Sequence, residues 1–356
     1  MRVTRCEVEP LDLFPQVALT VAYGSYPLLN YALLKIYTDD GLIGLGEAAP
    51  DPEVTGEHQS AVIQALKRAE AILIGVDPRD IEATLERCWE SLSAFPSALA
   101  AIDMALHDLA GQALGAPVFR LLGGRSRADV ALYPVVPLDT PEVMAETSRR
   151  FSTLGADVLK LKLGSHPDED MRRLRAIRDA VGAQMRLRLD INQGWRDAAT
   201  AIAAIRAMQG FNIEWVEQPV AAADLAGLAA VTASVDVPIM ADEACLGAAD
   251  VIRIACMRAA DMINIKLMKC GGLLAAGNTL AAAQAAGLRC ILGSMGESSI
   301  GSAAGIHFVT AKPGIAACEA IGPLFLQGDP AEGFRIDRAT LKAFVDEAPG
   351  LGVHLK

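Results

Sequence analysis

The sequence predicts an α/β protein in which a closed parallel β/α barrel follows a smaller α+β domain. Three observations predict it. Five charged residues, Lys162, Asp190, Glu217, Asp242 and Lys266, each close a short apolar run, at spacings of 28, 27, 25 and 24 residues. A strand with its return helix takes roughly 30 residues, so each of the five falls at the same end of one of five successive strands, where a β/α barrel assembles its active site. From about residue 128 onward, short apolar runs alternate with alanine-rich stretches, and the first 125 residues lack that rhythm.

Composition sets the bounds. A chain of 356 residues, 52% apolar and 21% charged, has material for a large core and suits a barrel plus an accessory domain. The net charge of −11 argues against nucleic acid or an anionic membrane as partner. No apolar signal core follows Met1–Arg5 and no run of 18 apolar residues occurs, so neither a secretion signal nor a membrane span is expected. The seven cysteines are odd in number, scattered and without a C-x-x-C pair, which fits reduced thiols and a cytoplasmic location. Cys270 and Cys318 read as small buried hydrophobes near strand ends. The large apolar fraction favours a homo-oligomer.

Taken in order, Val3–Val8 and Tyr31–Tyr37 read as strands, and Asp39-Asp40-Gly41 turns the second into Leu42–Glu47 as a hairpin. Its glycines do not form a phosphate loop, because no helix follows. Helices are expected at about 58–75, 78–93 and 97–114. In the third, Ala101, Met104, Ala105 and Asp108 share one face and Ile102, Leu106 and Leu109 another. Gly123-Gly124-Arg125 marks a break, so residues 1–125 form the α+β domain. Barrel strands are expected at 129–135, 157–163, 186–191, 212–217, 237–242, 261–266, 288–293 and 316–320, within a barrel domain of 126–324. The polar stretch from about 325 to 356 leaves the barrel and packs back on the first domain.

Strand alternation decides where the charged groups point. Lys160 and Lys162 share a face, as do Arg188, Asp190 and Asn192, and Asn264 and Lys266. The outer face of a barrel meets apolar helices, so these polar sets point inward, where they are costly unless paired or bound to a metal. Asp190, Glu217 and Asp242 come from consecutive strands about 4.8 Å apart and can converge on one cation. All donors are carboxylates, which selects Mg²⁺, or Mn²⁺, over Zn²⁺. Lys162 and Lys266 flank the three on opposite sides. The charge of Lys160, two residues before Lys162, favours a neutral Lys162 that can act as a base near neutral pH. The implied chemistry is removal of a proton α to the carboxylate of a small-molecule substrate, with the metal stabilising the enediolate. One charged strand end is ordinarily solvated or salt-bridged, but five in phase, ordered base, acid, acid, acid, base, are hard to explain structurally. Glu243, next to Asp242, is expected to point away from the ligand and support the ligands from behind, with Asn192. His107 and His307 read as core or surface, His166 as a loop residue, and Glu297 as either a pocket or an exposed loop acid.

Several short motifs together resemble the muconate-lactonizing-enzyme subgroup of the enolase superfamily. They are Lys160-x-Lys162, Asp190-x-Asn192, Glu217-Gln218-Pro219, Ala241-Asp242-Glu243 and Asn264-Ile-Lys266-Leu-Met-Lys-x-Gly-Gly272, joined by Gly41–Ala48 and Ala101–Asp108 in the first domain. The resemblance implies a modified TIM barrel, (β/α)₇β, with an α+β cap whose loops near 15–30 and 50–57 tune substrate choice. It also implies Mg²⁺ on Asp190, Glu217 and Asp242, with Lys162 and Lys266 as acid/base pair. Thr55-Gly56-Glu57, Lys266–Gly272 and Gly293-Ser-Met295-x-Glu297-Ser298 resemble dipeptide epimerases, which implies substrate contacts from Met295 and Glu297. Those enzymes usually close the eighth strand with Asp-x-Asp, which holds a substrate ammonium. Glu319 and Ile321 stand there in this chain, which shifts the expected substrate toward an N-substituted or cyclic amino acid as well as a dipeptide. Epimerisation or racemisation is the leading expectation. Cycloisomerisation, succinylbenzoate synthesis and hydroxyproline-type dehydration share the intermediate, and a non-catalytic acid-binding barrel is the alternative of a different class.

Overall fold

The computed structural model describes residues 1–356. Strands Val3–Pro15, Leu29–Thr38 and Ile43–Ala48 form an antiparallel sheet with Leu29–Thr38 at its centre. Gly41 adopts φ +81°, the left-handed conformation that the tight turn between the last two strands needs. Helices Gln59–Leu73, Ile81–Leu92 and Pro96–Leu114 cover this sheet, and Leu66, Leu73, Leu99, Ile102 and Leu106 pack with Leu34 and Ile36 in one core. The helix Pro96–Leu114 is buried on both of its apolar faces, as expected for a helix apolar all round. Its Asp108 accepts the backbone N–H of Leu45 (3.0 Å) and of Leu351 (2.8 Å), and Asp103 accepts that of Leu274 (2.8 Å). One helix thus ties the cap sheet, the barrel and the C-terminal segment together.

Eight parallel strands follow as a curled sheet: Val135–Val136, Val158–Lys162, Arg186–Asp190, Ile213–Glu217, Ile239–Ala241, Met262–Ile265, Arg289–Leu292 and Ile315–Cys318. A parallel bridge from Leu132 to Cys318 joins the last strand back to the approach of the first. The first strand corrects the expectation of 129–135. Val130–Ala131 instead pairs with Lys342–Phe344 in a small antiparallel sheet, and the barrel strand starts only at Val135. Apolar residues in an unbroken run carry no mark of which partner they will find. Leu159, Leu161, Leu187, Leu189, Ile263 and Ile265 face the helices in the main core. The C-terminal stretch returns to the cap through Leu326–Gln327, which extends Val3–Pro15. A short hairpin, Leu19–Val21 with Gly24–Tyr26, lies over the barrel mouth, where Leu138 N–H donates to Thr20 O (2.9 Å).

Glu57 fixes the start of the long cap helix: Ser97 donates to it from Oγ (2.8 Å) and from its backbone N–H (3.2 Å). Burial pushes this carboxyl up to about 7, against the pull of those hydrogen bonds. The folded protein therefore keeps a proton that the unfolded chain releases near the ordinary 4.5, and stability falls as pH rises between those values. Glu57→Gln, neutral throughout, removes this dependence. Its melting temperature relative to the unsubstituted protein rises between about pH 5 and pH 8, by the equivalent of at most about 3 kcal/mol, in parallel thermal scans.

Candidate active site

Lys162, Asp190 and Glu217 are the last residues of three neighbouring strands and lie side by side in register. Asp242 and Lys266 follow directly after the next two strands. Beyond Asp190 and Glu217 the chain turns out of the sheet through Asn192 (φ 43°) and Gln218 (φ 38°), a backbone region that residues other than glycine rarely adopt. Hydrogen bonds hold both turns. Asp190 Oδ1 accepts the Asn192 N–H (3.0 Å), and Gln218 Oε1 accepts the N–H groups of Asp242 (3.0 Å) and Ala244 (3.1 Å). Gln218 therefore fixes where Asp242 begins. Gly293 lets Asn264 lie close, since a Cβ there would meet Asn264 Oδ1 at 2.2 Å, and Asn264 Nδ2 donates to Glu217 Oε1 (2.8 Å).

The three carboxylates are fully buried and offer oxygens within 4.8 Å of one another. Four lysines meet them. Lys160 Nζ lies 2.9 Å from Asp190 Oδ2, and 2.8 Å from both Glu217 Oε2 and Glu319 Oε1. Lys162 donates to Asp190 Oδ2 (2.7 Å) and Asn192 Oδ1 (3.1 Å). Lys266 donates to Asp242 Oδ2 (2.7 Å), and Lys269 to Asp242 Oδ1 (2.5 Å) and to the backbone oxygens of Asp242 and Asn264. Exposure separates the four: the Lys162 and Lys266 side chains are 15% and 7% accessible, Lys160 and Lys269 1% each. Lys162 and Lys266 line a cavity of about 570 Å³ between barrel and cap; Lys160 and Lys269 do not. Lys160 is enclosed by Asp190, Glu217 and Glu319, so its charge is directed at three acids rather than at Lys162.

The charges interact strongly. Burial works against ionisation of Asp190, but Lys160 and Lys162 outweigh it and hold the carboxyl at about 2. Against the same burial, Lys266 and Lys269 hold Asp242 well below the usual carboxylate range. Glu217 goes the other way: burial, then the charge of Asp190, pushes it far up despite Lys160. Its Oε2 has Lys160 Nζ at 2.8 Å as its one charged neighbour and no further hydrogen-bond partner. Three buried carboxylates crowded within 4.8 Å of one another are what a further cation would stabilise. The donor set fits one: all oxygen, and close to the roughly 4.2 Å that opposite ligands of an octahedral Mg²⁺ span. Burial opposes the charge on Lys160 and Lys266 too, yet the carboxylates beside them raise both, Asp190 leading for Lys160 and Asp242 for Lys266.

Glu243 stays off the cavity lining and pairs with Asn192. Its strand ends at Ala241, so alternation no longer governs positions 242 and 243. Glu243 is buried beside the site and accepts a hydrogen bond from Asn192 Nδ2 (3.0 Å), and burial, then Asp242 and Asp190, pushes it up to about 7. Ile321, Met295 and Glu319 line the cavity. Glu319, though, is engaged by Lys160 and by the Tyr133 hydroxyl (2.6 Å). Glu297 does not line the cavity: its carboxylate turns back to Ser294 Oγ and to Met295 N–H (3.1 Å), shaping the loop that presents Met295. His166 is exposed and caps a helix, and His107 and His307 are buried in helices. All seven cysteines are free. Lys269 went unassigned in the sequence although it sits one helical turn beyond Lys266; Tyr133 carried no local signal.

Comparisons with known proteins agree with this architecture. Residues 7–123 match the mandelate racemase/muconate lactonizing enzyme N-terminal domain, and residues 142–356 match the enolase C-terminal domain-like family. An N-succinyl-L-Arg/Lys racemase from Bacillus cereus is 35% identical over 100% of this chain and 96% of its own length. A hydrophobic dipeptide epimerase from Enterococcus faecalis is 36% identical, covering 99% of both chains. The crystal structure of the dipeptide epimerase from Enterococcus faecalis, complexed with Mg and the dipeptide L-Leu-L-Tyr, superposes with a TM-score of 0.95 at 35% identity over 99% of both chains. Matched over both of its parts, the chain belongs to the mandelate racemase/muconate lactonizing enzyme family of the enolase superfamily.

Proposed function

We propose that the protein is an isomerase that epimerises or racemises an amino-acid-derived carboxylate, with Lys162 and Lys266 exchanging the α-proton on opposite faces. The observation that carries this is the pair of accessible lysines that line one cavity and pair with two of the three clustered, buried carboxylates. Asp190, Glu217 and Asp242 would hold a divalent cation, Mg²⁺ or Mn²⁺. When bound, that cation supplies positive charge to a substrate carboxylate as negative charge develops on it. Lys162 Nζ takes the α-proton from one face and Lys266 Nζ returns one to the other, with the roles reversed for the opposite enantiomer. Asp242 is what keeps Lys266 protonated, and a lysine that loses such a counter-charge becomes a better base. Lys160 and Lys269, both buried, balance the acids, and Lys160 would join Lys162 on its side of the site. Asn192 and Gln218 position Lys162 and Asp242, and the cap walls the cavity from above.

The names of the relatives support dipeptides and N-acylated amino acids as the substrate class. Residues 1–125, completed by about 325–356, would act as the cap, and 126–324 as the catalytic barrel. A reducing, cytoplasmic location accords with the seven free cysteines, and the proposed homo-oligomer is read by light scattering. The test of the reaction is incubation in D₂O with Mg²⁺ and a panel of dipeptides and N-acyl amino acids. Deuterium at Cα with inversion of configuration, lost on chelation, is the expected result. Products one water lighter, or no incorporation with any member, would contradict it.

A further inference from the structure

The two accessible lysines are held differently. Lys266 Nζ donates to one acceptor, Asp242 Oδ2. Lys162 Nζ donates to two, Asp190 Oδ2 (2.7 Å) and Asn192 Oδ1 (3.1 Å). The amine nitrogen is tetrahedral. Its bond to Cε and two fixed N–H directions therefore determine the fourth position, which carries the exchanging proton or the lone pair. Asn192 is held in turn. Its backbone N–H donates to Asp190 Oδ1 (3.0 Å), which secures the left-handed backbone at φ 43°. Its side-chain Nδ2 donates to Glu243 Oε1 (3.0 Å). That is the one hydrogen bond of the Glu243 side chain, whose Oε2 is buried and has no partner. Asn192 and Lys162 line the cavity, and Glu243 does not.

We propose that Glu243 is a positioning residue for Lys162 and not for Lys266. The inference rests on the reaction proposed above and adds how one of its two bases is aimed. A carboxylate oxygen only accepts. Glu243 therefore admits one orientation of the Asn192 amide, with Nδ2 toward itself and Oδ1 toward Lys162. The reversed amide would set Oδ1 against the carboxylate and Nδ2 against the lysine. The ammonium form of Lys162 would then lose an acceptor. The amine form would turn its lone pair toward Nδ2 and away from the substrate, and a base aimed wrongly loses rate. Glu243 reaches Lys266 through its charge, with no hydrogen bond between them. Control of direction thus belongs to one face of the substrate.

The test is Cα–H exchange in D₂O with Mg²⁺, at about pH 9 so that Glu243 is the carboxylate, on the full-length protein carrying one base at a time. The substrate is the panel member that the unsubstituted protein exchanges fastest. Glu243→Gln keeps the shape and offers an NH₂ that can face Asn192 Oδ1. It is placed in Lys266→Ala, where Lys162 acts alone, and in Lys162→Ala, where Lys266 does. The expected loss is about tenfold or more in the first and less than about twofold in the second. Asn192→Ala gives the same one-sided loss, and adding Glu243→Gln to it costs little more, because the two act as one unit. Mg²⁺ raises the melting temperature of Glu243→Gln as much as that of the unsubstituted protein, and the same scans check that each variant is folded. An equal loss on both faces, an additive loss with Asn192→Ala, or a vanished Mg²⁺ shift overturns the role, since each places Glu243 in general support of the fold or the cation. Failure of the reaction reads differently. The unsubstituted protein would then exchange neither enantiomer, which removes the reaction and this role together.

Discussion

Lys266→Ala lowers the epimerisation rate by roughly 10³-fold while leaving the protein folded. The size follows from the contribution of a positioned acid/base group, about 10²–10⁴-fold, in a site where no other accessible amine stands on that side. The fold survives because Asp242 keeps a second partner: Lys269 lies 2.5 Å from Oδ1, and Gln218 accepts the Asp242 N–H. Removing Lys266 therefore does not strand a buried charge, the usual reason such a substitution unfolds a protein. Lys162→Ala acts alike, since Asp190 keeps Lys160 at 2.9 Å. Initial rates by chiral chromatography, with thermal scans alongside, check both. A variant that is equally active, or one that is inactive only because it is unfolded, goes against the assignment.

Glu217→Gln separates stability from activity. Of the three buried carboxylates, Glu217 is the one whose ionisation the protein resists, through burial and the neighbouring Asp190 charge, and one of its oxygens receives no hydrogen bond. The amide is neutral in folded and unfolded chain alike, so folding no longer has to hold a proton that the unfolded carboxyl releases, and Lys160 keeps Asp190 and Glu319 as partners. The cation-free variant should gain stability, by about 1 kcal/mol. The same change removes a cation ligand, so Mg²⁺, which raises the melting temperature of the unsubstituted protein by mass action, should no longer do so, and the Mg²⁺-dependent rate should fall by at least about a hundredfold. Thermal scans in chelator and in Mg²⁺ read both effects. A variant that is less stable in chelator, yet still stabilised by Mg²⁺, would mean that the strain at Glu217 has another purpose.

Much of this was legible in the chain because it is local. The spacing from Lys162 to Lys266 encodes the strand-to-strand repeat, and alternation in Val158–Lys162 and Arg186–Asp190 sets which groups face inward. The pattern is less informative where a strand stops early or starts late: Ile239–Ala241 ends before Asp242 and Glu243, and the barrel strand Val135–Val136 begins after most of the segment expected for it. Lys160 and Lys162 look equivalent in sequence, and only the fold shows that Lys160 is enclosed by acids while Lys162 reaches the cavity. Glu297 was misplaced because a carboxylate can fold back on its own loop without changing the motif.

The central claim is that two lysines work opposite faces of one carbon. The most direct measurement is Cα–H exchange in D₂O on each separated enantiomer, with Mg²⁺, for Lys162→Ala and Lys266→Ala. The account predicts that each variant still exchanges one enantiomer and that the two retain opposite ones, because each keeps the base for one face. Loss of exchange for both enantiomers in both variants, or retention of the same enantiomer by the two, would contradict it.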